Sequence, residues 1–181
     1  MWDMTNINAY AFSDADLQRL TYSNYYHGNV FKGGVSNQLC GWIRTAELWP
    51  GGVSDTDYNQ REGYLQLQQE FALNDLVNGQ VLPFTNIYDK GYHAKMIAWK
   101  TGKQRVIQPV WASSDRRFER NETLLTAVVA TDRSGNERAV NVSKRAWVIS
   151  RGFKPRQSSK RLNQAWLTWS FQSNFMFDPV L

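Results

Sequence analysis

The order of extended and helical segments constrains the fold of this chain more than any other feature of its 181 residues. Short alternating stretches predict strands at residues 2–10, 29–43 and 46–49. The paired glycines Gly33 and Gly34 indicate a bend or bulge within the second of these strands. The period then changes, because Ser54 and Asp57 form a helix-start signal and apolar residues follow at helical spacing.

The remaining segments alternate between extended and helical patterns. They predict, in chain order, a strand at 81–88, a helix at 94–99, a strand at 105–110, a helix at 142–152 and an aromatic helix at 162–176. The pattern of the polar stretch at 113–138 does not decide between a loop, an insertion and a partly helical segment. We therefore predict a mixed α/β domain with helices on a central sheet over 1–160, and a C-terminal helix packed on it over 161–181.

The C-terminal segment combines basic and aromatic residues, with Lys160 and Arg161 ahead of several rings. Four apolar residues follow each other at spacings of four, three and seven positions, which places them on one helix face. They are Leu162, Trp166, Trp169 and Met176. This spacing favours a helix that packs its rings on the sheet. The alternative is a surface on which unpaired nucleobases stack, which uses the same residue types.

Charge is divided unevenly between the two halves of the chain. Residues 1–89 carry four Lys/Arg and ten Asp/Glu, a net charge of −6, and residues 90–181 carry seventeen Lys/Arg and six Asp/Glu, a net charge of +11. Such asymmetry favours one surface that attracts polyanions, and DNA is the expected partner. The predicted nucleic-acid-binding residues are Lys100, Lys103, Arg105, Arg116, Arg117, Arg151, Lys154 and Arg156.

Composition limits the kinds of metal site that the chain can form. Cys40 is the only cysteine, and His27 and His93 are the only histidines, so a cysteine-based zinc site is excluded. Carboxylate oxygens would have to hold a metal ion, and they suit Mg²⁺ or Mn²⁺. The sequence shows no secretory leader and no apolar run that could span a bilayer. We therefore expect a soluble nuclear or cytoplasmic protein with no membrane partner.

Asp3 and Asp89 are the candidate metal ligands because of where they lie on predicted strands. Asp3 belongs to the first strand, and Asp89 follows the apolar strand at 81–88. Strand ends are where an α/β sheet presents functional groups, so neighbouring strands would bring both acids to one pocket. The simpler interpretation of either residue is a turn or cap role.

Four segments resemble, in the same order, the motifs of DDE-type transposases of the PIF/Harbinger kind and the insertion-sequence transposases like them. Asp3-Met4-Thr5-Asn6-Ile7 resembles the Asp-Gly-Thr-x-Ile motif of the first strand. Tyr22-Ser23, followed by Lys32, resembles the Tyr-Ser-Gly segment before the second strand. Pro50-Gly51-Gly52-Val53-Ser54-Asp55 is similar to the Pro-Gly-Ser-x-x-Asp turn, and Asp89-Lys90-Gly91-Tyr92 resembles the Asp-x-Gly-Tyr motif.

This resemblance implies an RNase H-like core that uses two metal ions to hydrolyse phosphodiesters and transfer DNA strands. By the same carry-over, Asp3 and Asp89 would be catalytic residues and metal ligands, and Asp55 would have a supporting role. A separate DNA-binding protein or domain is also implied, because the first strand begins almost at Met1. Met4 stands where the family has glycine.

The third acid of the family has no counterpart in the register that the motifs suggest. Arg145 matches the arginine of the family's last helix, and the position of the catalytic glutamate is then Ile149. Asp132 and Glu137 lie upstream, but their spacing does not favour either. Mg²⁺ or Mn²⁺ would consequently bind weakly. The alternatives are a catalytically dead DNA-binding or protein-interaction module derived from such a transposase, and an unrelated soluble α/β domain.

Overall fold

A computed structural model gives the structure of the chain. It describes residues 2–38, 41–62, 76–77, 80–81, 85–89, 105–110, 116–154 and 158–177. Within these ranges the protein is a mixed α/β domain, with an antiparallel sheet, a parallel pair of strands and helices packed against them. The predicted fold class is thereby confirmed at this level. The predicted helix at 94–99 lies outside the described residues.

The main sheet is antiparallel and is built around its longest strand. The strands are β1 (Trp2–Asn8), β2 (Tyr22–Ser23), β3 (Gly28–Asn37) and β4 (Ile43–Pro50). β3 pairs with β1, β2 and β4, and Asp3 of β1 lies opposite Val35 of β3. The register with β4 shifts between Gly33 and Val35, which confirms the predicted irregularity at the glycine pair.

Two smaller pairs of strands follow in the chain. β5 (Leu76–Val77) and β6 (Gln80–Val81) pair antiparallel, whereas β7 (Thr85–Ile87) and β8 (Arg105–Ile107) pair in parallel. The parallel pair matters for the site because Asp89 follows β7 by two residues.

Five helices lie within the described residues, and their ends follow capping chemistry. They are α1 (Ala15–Thr21), α2 (Asp55–Arg61), α3 (Arg120–Ser143), α4 (Trp147–Ser150) and α5 (Ser159–Met176). The side chain of Asp14 accepts hydrogen bonds from two N–H groups at the start of α1, and that of Ser54 caps α2. At the start of α3, the Glu122 carboxylate accepts from the Glu119 N–H at 3.0 Å. None of the helices in the described ranges is long and apolar enough to cross a membrane.

The two faces of the main sheet bury different clusters. A Cβ atom on Gly33 would lie 2.8 Å from the Trp166 ring, so this face of β3 lies against α5. A Cβ atom on Gly34 would instead meet Trp2 and, at 2.8 Å, the ring of Tyr58 in α2. Successive strand residues point to opposite faces, and residues opposite each other in a pair share a face.

The C-terminal helix α5 is tied to the outer edge of β4 by side chains. Asn163 Oδ1 accepts from the Leu48 N–H at 2.8 Å, Trp166 Nε1 donates to the Ala46 carbonyl at 3.0 Å, and Asn174 bonds both backbone groups of Ile43. These bonds satisfy backbone groups of β4 on the edge that faces away from β3.

The packing interpretation of this segment holds for Leu162 and Trp166, which are buried, with Lys160 and Arg161 exposed at the helix start. It fails for Met176, which is 60% exposed.

Helix α1 has no counterpart among the predicted elements, and the stretch at 113–138, for which a partly helical segment was one alternative, contains most of the long helix α3. The single helix predicted at 142–152 is two elements, because α3 ends at Ser143 and α4 begins at Trp147.

Candidate metal centre at Asp3 and Asp89

Asp3 lies on the face of β1 that is turned toward α3. Its neighbours Trp2 and Met4 pack with Tyr58 on the opposite face, and strand alternation places Asp3 on the side of Val35. The Met4 N–H donates a hydrogen bond to Asp3 Oδ1 at 2.8 Å. Asp3 is thus a partly buried carboxylate on the face of the sheet that α3 covers.

Asp89 reaches the same region from the parallel pair of strands. Gln108, just after β8, donates from Nε2 to the Asp89 carbonyl oxygen at 2.8 Å and so fixes the backbone at the end of β7. The preceding residue, Tyr88, is fully buried in one cluster with Trp2, which packs this segment against β1. The described strand pairings do not include a ladder between β1 and β7, so the predicted adjacency of these strands stays a prediction.

Arg133 of α3 connects the two acids. Its Nη1 lies 3.0 Å from Asp89 Oδ1, and the side chains of Arg133 and Asp89 are 24% and 50% exposed. Burial raises the pKa of Asp3 above its ordinary value, and the Asp89 and Asp55 carboxylates act in the same direction. The Met4 N–H and the Arg133 guanidinium oppose that rise in the pKa. Asp3, Asp89 and Arg133 therefore share one electrostatic environment.

Helix α3 reaches this environment because it runs beside β1 in the same direction. Arg133 acts on Asp3 near the start of β1, whereas Ala139 and Val142 are buried in one cluster with Ile7 near its end. Six to nine helical residues span about 9–14 Å. That length is comparable to the four-residue step from Asp3 to Ile7, which covers about 13 Å of strand.

The oxygen atoms of the acids that Arg133 connects are of the kind that a divalent cation binds. Asp3 and Asp89 supply carboxylates, which are hard ligands of the type that Mg²⁺ and Mn²⁺ prefer. Asn136, one turn after Arg133, is 3% exposed, and its Oδ1 has no hydrogen-bond partner among the described residues. Those residues contain no group of three or more His, Cys, Asp or Glu side chains that could hold an ion together.

Ile149, at which the transposase resemblance places the third ligand, is buried in the apolar core. It is 3% exposed and belongs to the apolar cluster that also contains Ile7, Val142 and Phe153. Phe153, four residues later, pairs with Ala9 beyond the end of β1, which is about 20 Å of strand from Asp3. The helix beside the acids is α3, where Asp132 and Glu137 flank Arg133. Glu137 is exposed and lies one turn after Arg133.

Asp55 lies at the first position of α2, where Lys32 ties it to the segment after β4. Lys32 Nζ donates to Asp55 Oδ1 and to the Val53 carbonyl, each at 2.7 Å, and the Lys32 side chain is 14% exposed. This double contact fastens the segment after β4 to the centre of the sheet. The sequence pointed to Lys32 and Asp55 as separate motif residues, and their mutual contact carried no local signal.

The predicted basic residues are only partly described. Arg116, Arg117, Arg151 and Lys154 are exposed, and Arg116 is engaged by Glu122 at 2.6 Å and Glu119 at 3.6 Å. Arg105 belongs to β8, and Lys100, Lys103 and Arg156 lie outside the described residues. Arg151 and Lys154 lie near the end of β1, since the Phe153 N–H between them donates to the Asn8 carbonyl at 2.7 Å.

Arg133 is the residue of this site that sequence reasoning missed. It lies in a polar stretch with no motif around it, and only the packing of α3 beside β1 brings it to Asp89. Comparison with protein-family models, curated proteins and solved structures found no match to this chain.

Proposed function

We propose that this protein is a DDE-type endonuclease core with an RNase H-like fold, which acts on DNA with one weakly bound Mg²⁺ or Mn²⁺ held by Asp3 and Asp89. The observation that carries the proposal is the meeting of these two acids at Arg133, from three separate elements of the chain. Burying carboxylates close together costs free energy of folding, and such arrangements are typical of metal and catalytic sites.

The strand arrangement supports the RNase H-like part of the proposal. An antiparallel unit of β1, β3 and β4 is followed by the parallel pair β7 and β8, and Tyr88 packs the latter pair against Trp2. In the proposed fold, β7 lies beside the edge of β1 that faces away from β3 and continues the sheet. Asp3 and Asp89 then flank one cleft that α3 closes from one side.

The chemistry proposed for the site is phosphodiester hydrolysis. A bound divalent ion supplies an activated water and stabilises the leaving oxygen. Asp3 and Asp89 bind and orient that ion through carboxylate oxygens, and the Met4 N–H fixes the rotation of the Asp3 carboxylate. Two acids leave coordination positions open for water and phosphate, but they hold the ion loosely.

A third ligand from α3 would strengthen the site. Glu137 lies four residues after Arg133 and so projects from nearly the same side of the helix one turn further on. Asp132 is adjacent to Arg133 and half-buried. If either acid contributes, its amide variant weakens Mn²⁺ binding, whereas the same change on an acid that does not contribute leaves it unchanged.

The test combines a metal titration with a plasmid-nicking assay. Mn²⁺ affinity is measured by calorimetry, and nicking of supercoiled DNA is measured in Mg²⁺ and Mn²⁺, for the wild type, Asp3→Asn and Asp89→Asn. Asp16→Asn is the matched control, because Asp16 is 88% exposed on α1. We expect weak Mn²⁺ binding that both site variants lose and the control keeps, with slow nicking that follows the binding. Mn²⁺ binding that survives both site variants would refute the proposed centre.

The second candidate is a module that binds DNA and does not cut it. It is favoured by the pairing of Asp89 with Arg133 and by the finding that the described residues contain no group of three His, Cys, Asp or Glu side chains that could hold an ion together. In that case DNA binding falls steeply with salt, and no nicking occurs at any metal concentration.

A further inference from the structure

The Arg133 guanidinium lies where a metal ion at this centre would bind, and it neutralises part of the negative charge that would attract the ion. The guanidinium contacts the Asp89 carboxylate at 3.0 Å and acts against the rise in the pKa of Asp3, so one positive charge already offsets part of the negative charge of the two acids. A divalent ion bound to the same oxygen atoms would lie a few ångströms from the guanidinium. Like charges at that distance repel strongly unless water screens them.

We propose that Arg133 is an exchangeable counter-ion of the Asp3–Asp89 pair, which competes with the divalent cation and must release Asp89 when the ion binds. The proposal rests on the metal centre proposed above. In this proposal Arg133 controls the affinity of the site for metal. The affinity is lowered because the positive guanidinium already occupies the site.

The geometry of the contact permits this release. The guanidinium of Arg133 is held by its ion pair with Asp89, and 24% of the Arg133 side chain is exposed. Arginine has a long flexible stem, so the guanidinium can move several ångströms into solvent while α3 stays in place. Ion pairs that are partly exposed, as this one is, contribute little to stability, so breaking the contact costs little free energy.

Helix α3 itself is anchored elsewhere. Gly135, Asn136, Ala139, Val142 and Ser143 are buried on the side that packs on the sheet. The position of the helix therefore does not depend on the contact between Arg133 and Asp89. A charge-removing change at Arg133 is expected to leave the fold intact.

The direct test is the Mn²⁺ affinity of Arg133→Gln and Arg133→Lys, measured by calorimetry. Arg138→Gln is the matched control, because Arg138 is an exposed arginine on the same helix. Removal of the charge should tighten Mn²⁺ binding by at least about tenfold, since repulsion by a neighbouring unit charge is removed. Arg133→Lys keeps the charge and should bind close to the wild type, as should Arg138→Gln.

A second measurement uses the wild-type protein and does not depend on a variant that folds. The Nε–H resonance of Arg133, assigned by its loss in Arg133→Lys, should shift as Mg²⁺ is added, because the guanidinium leaves Asp89. A resonance that stays unchanged while Mg²⁺ binds would overturn the exchange.

The outcomes separate the two proposals. If Asp3→Asn and Asp89→Asn abolish Mn²⁺ binding but Arg133→Gln leaves it unchanged or weaker, the centre stands and the counter-ion role is wrong. If the two aspartate variants have no effect on Mn²⁺ binding, the centre itself is wrong, and the counter-ion role falls with it.

Discussion

Replacing Ile149 with glutamate distinguishes the two positions considered for this residue, beside the acids or inside the core. Ile149 is 3% exposed among apolar side chains. Loss of its burial costs about 2–3 kcal/mol. Burial of a carboxyl group without a partner adds about 1–3 kcal/mol. The expected loss of unfolding free energy is therefore about 3–6 kcal/mol, against a total of about 5–15 kcal/mol for a typical domain.

Urea denaturation followed by circular dichroism measures this loss. The matched change Ile149→Val should cost only about 0.5–1.5 kcal/mol, because it deletes one methyl group. Ser150→Glu adds the same charge at the exposed neighbouring position and should change stability by about 0.5 kcal/mol or less. The loss of unfolding free energy for Ile149→Glu should also grow as the pH rises, because ionising a buried carboxyl group is unfavourable.

The reasoning is refuted if Ile149→Glu is as stable as Ile149→Val and binds Mn²⁺ more tightly than the wild type. Position 149 would then face the acid pair, as the transposase resemblance suggested. A destabilised variant whose Mn²⁺ affinity is unchanged supports the core position.

Three further predictions concern the acid site, the sheet and the basic residues. Because burial raises the pKa of Asp3, Asp3→Asn should be more stable than the wild type at pH 7, and the urea midpoints should converge as the pH falls toward 3.8. Gly33→Ala should cost about 1–3 kcal/mol because the new Cβ meets the α5 ring, whereas Gly28→Ala, with its nearest atom at 3.7 Å, should be tolerated in the same assay. Replacing both Arg151 and Lys154 with glutamine should make the log–log salt slope of DNA binding, measured by anisotropy, shallower by about 0.9 for each phosphate that the variant no longer neutralises.

The parts of the fold that could be predicted are those with strong local signals. Ser54 and Asp57 mark the start of α2 correctly, since a capping side chain acts on its own helix. The glycine pair in β3 indicates an irregularity that the structure has between Gly33 and Val35. In both cases the information lies within a few residues of the feature.

The two helices that were missed give weak periodic signals. Helix α1 has only seven residues, so few positions are available to show an apolar period. Helix α3 is polar for most of its length and contains Gly135, and its buried residues other than Val129 lie in its second half. Its stability comes from tertiary packing, which a local pattern does not record.

The candidate site shows the same division between local and distant information. Asp3 and Asp89 could be proposed because each follows from its position on a strand. Arg133 could not, since it is separated from Asp89 by more than forty residues and reaches it only when α3 packs beside β1. Because the sequence does not reveal that packing, the motif register alone assigns the third position to Ile149.

Stability alone does not account for the charges at this site. The Arg133–Asp89 pair is partly exposed, and such pairs contribute only about 0–1 kcal/mol. Burial of Asp3 acts against stability, because it raises the pKa of a group that is ionised at neutral pH. An asparagine at position 3 would keep the shape of the side chain and remove that cost. If Asp3→Asn stabilises the protein and also abolishes Mn²⁺ binding, the carboxylate serves the metal ion at the expense of the fold. If it stabilises the protein and leaves Mn²⁺ binding unchanged, the acid has no role at the proposed centre.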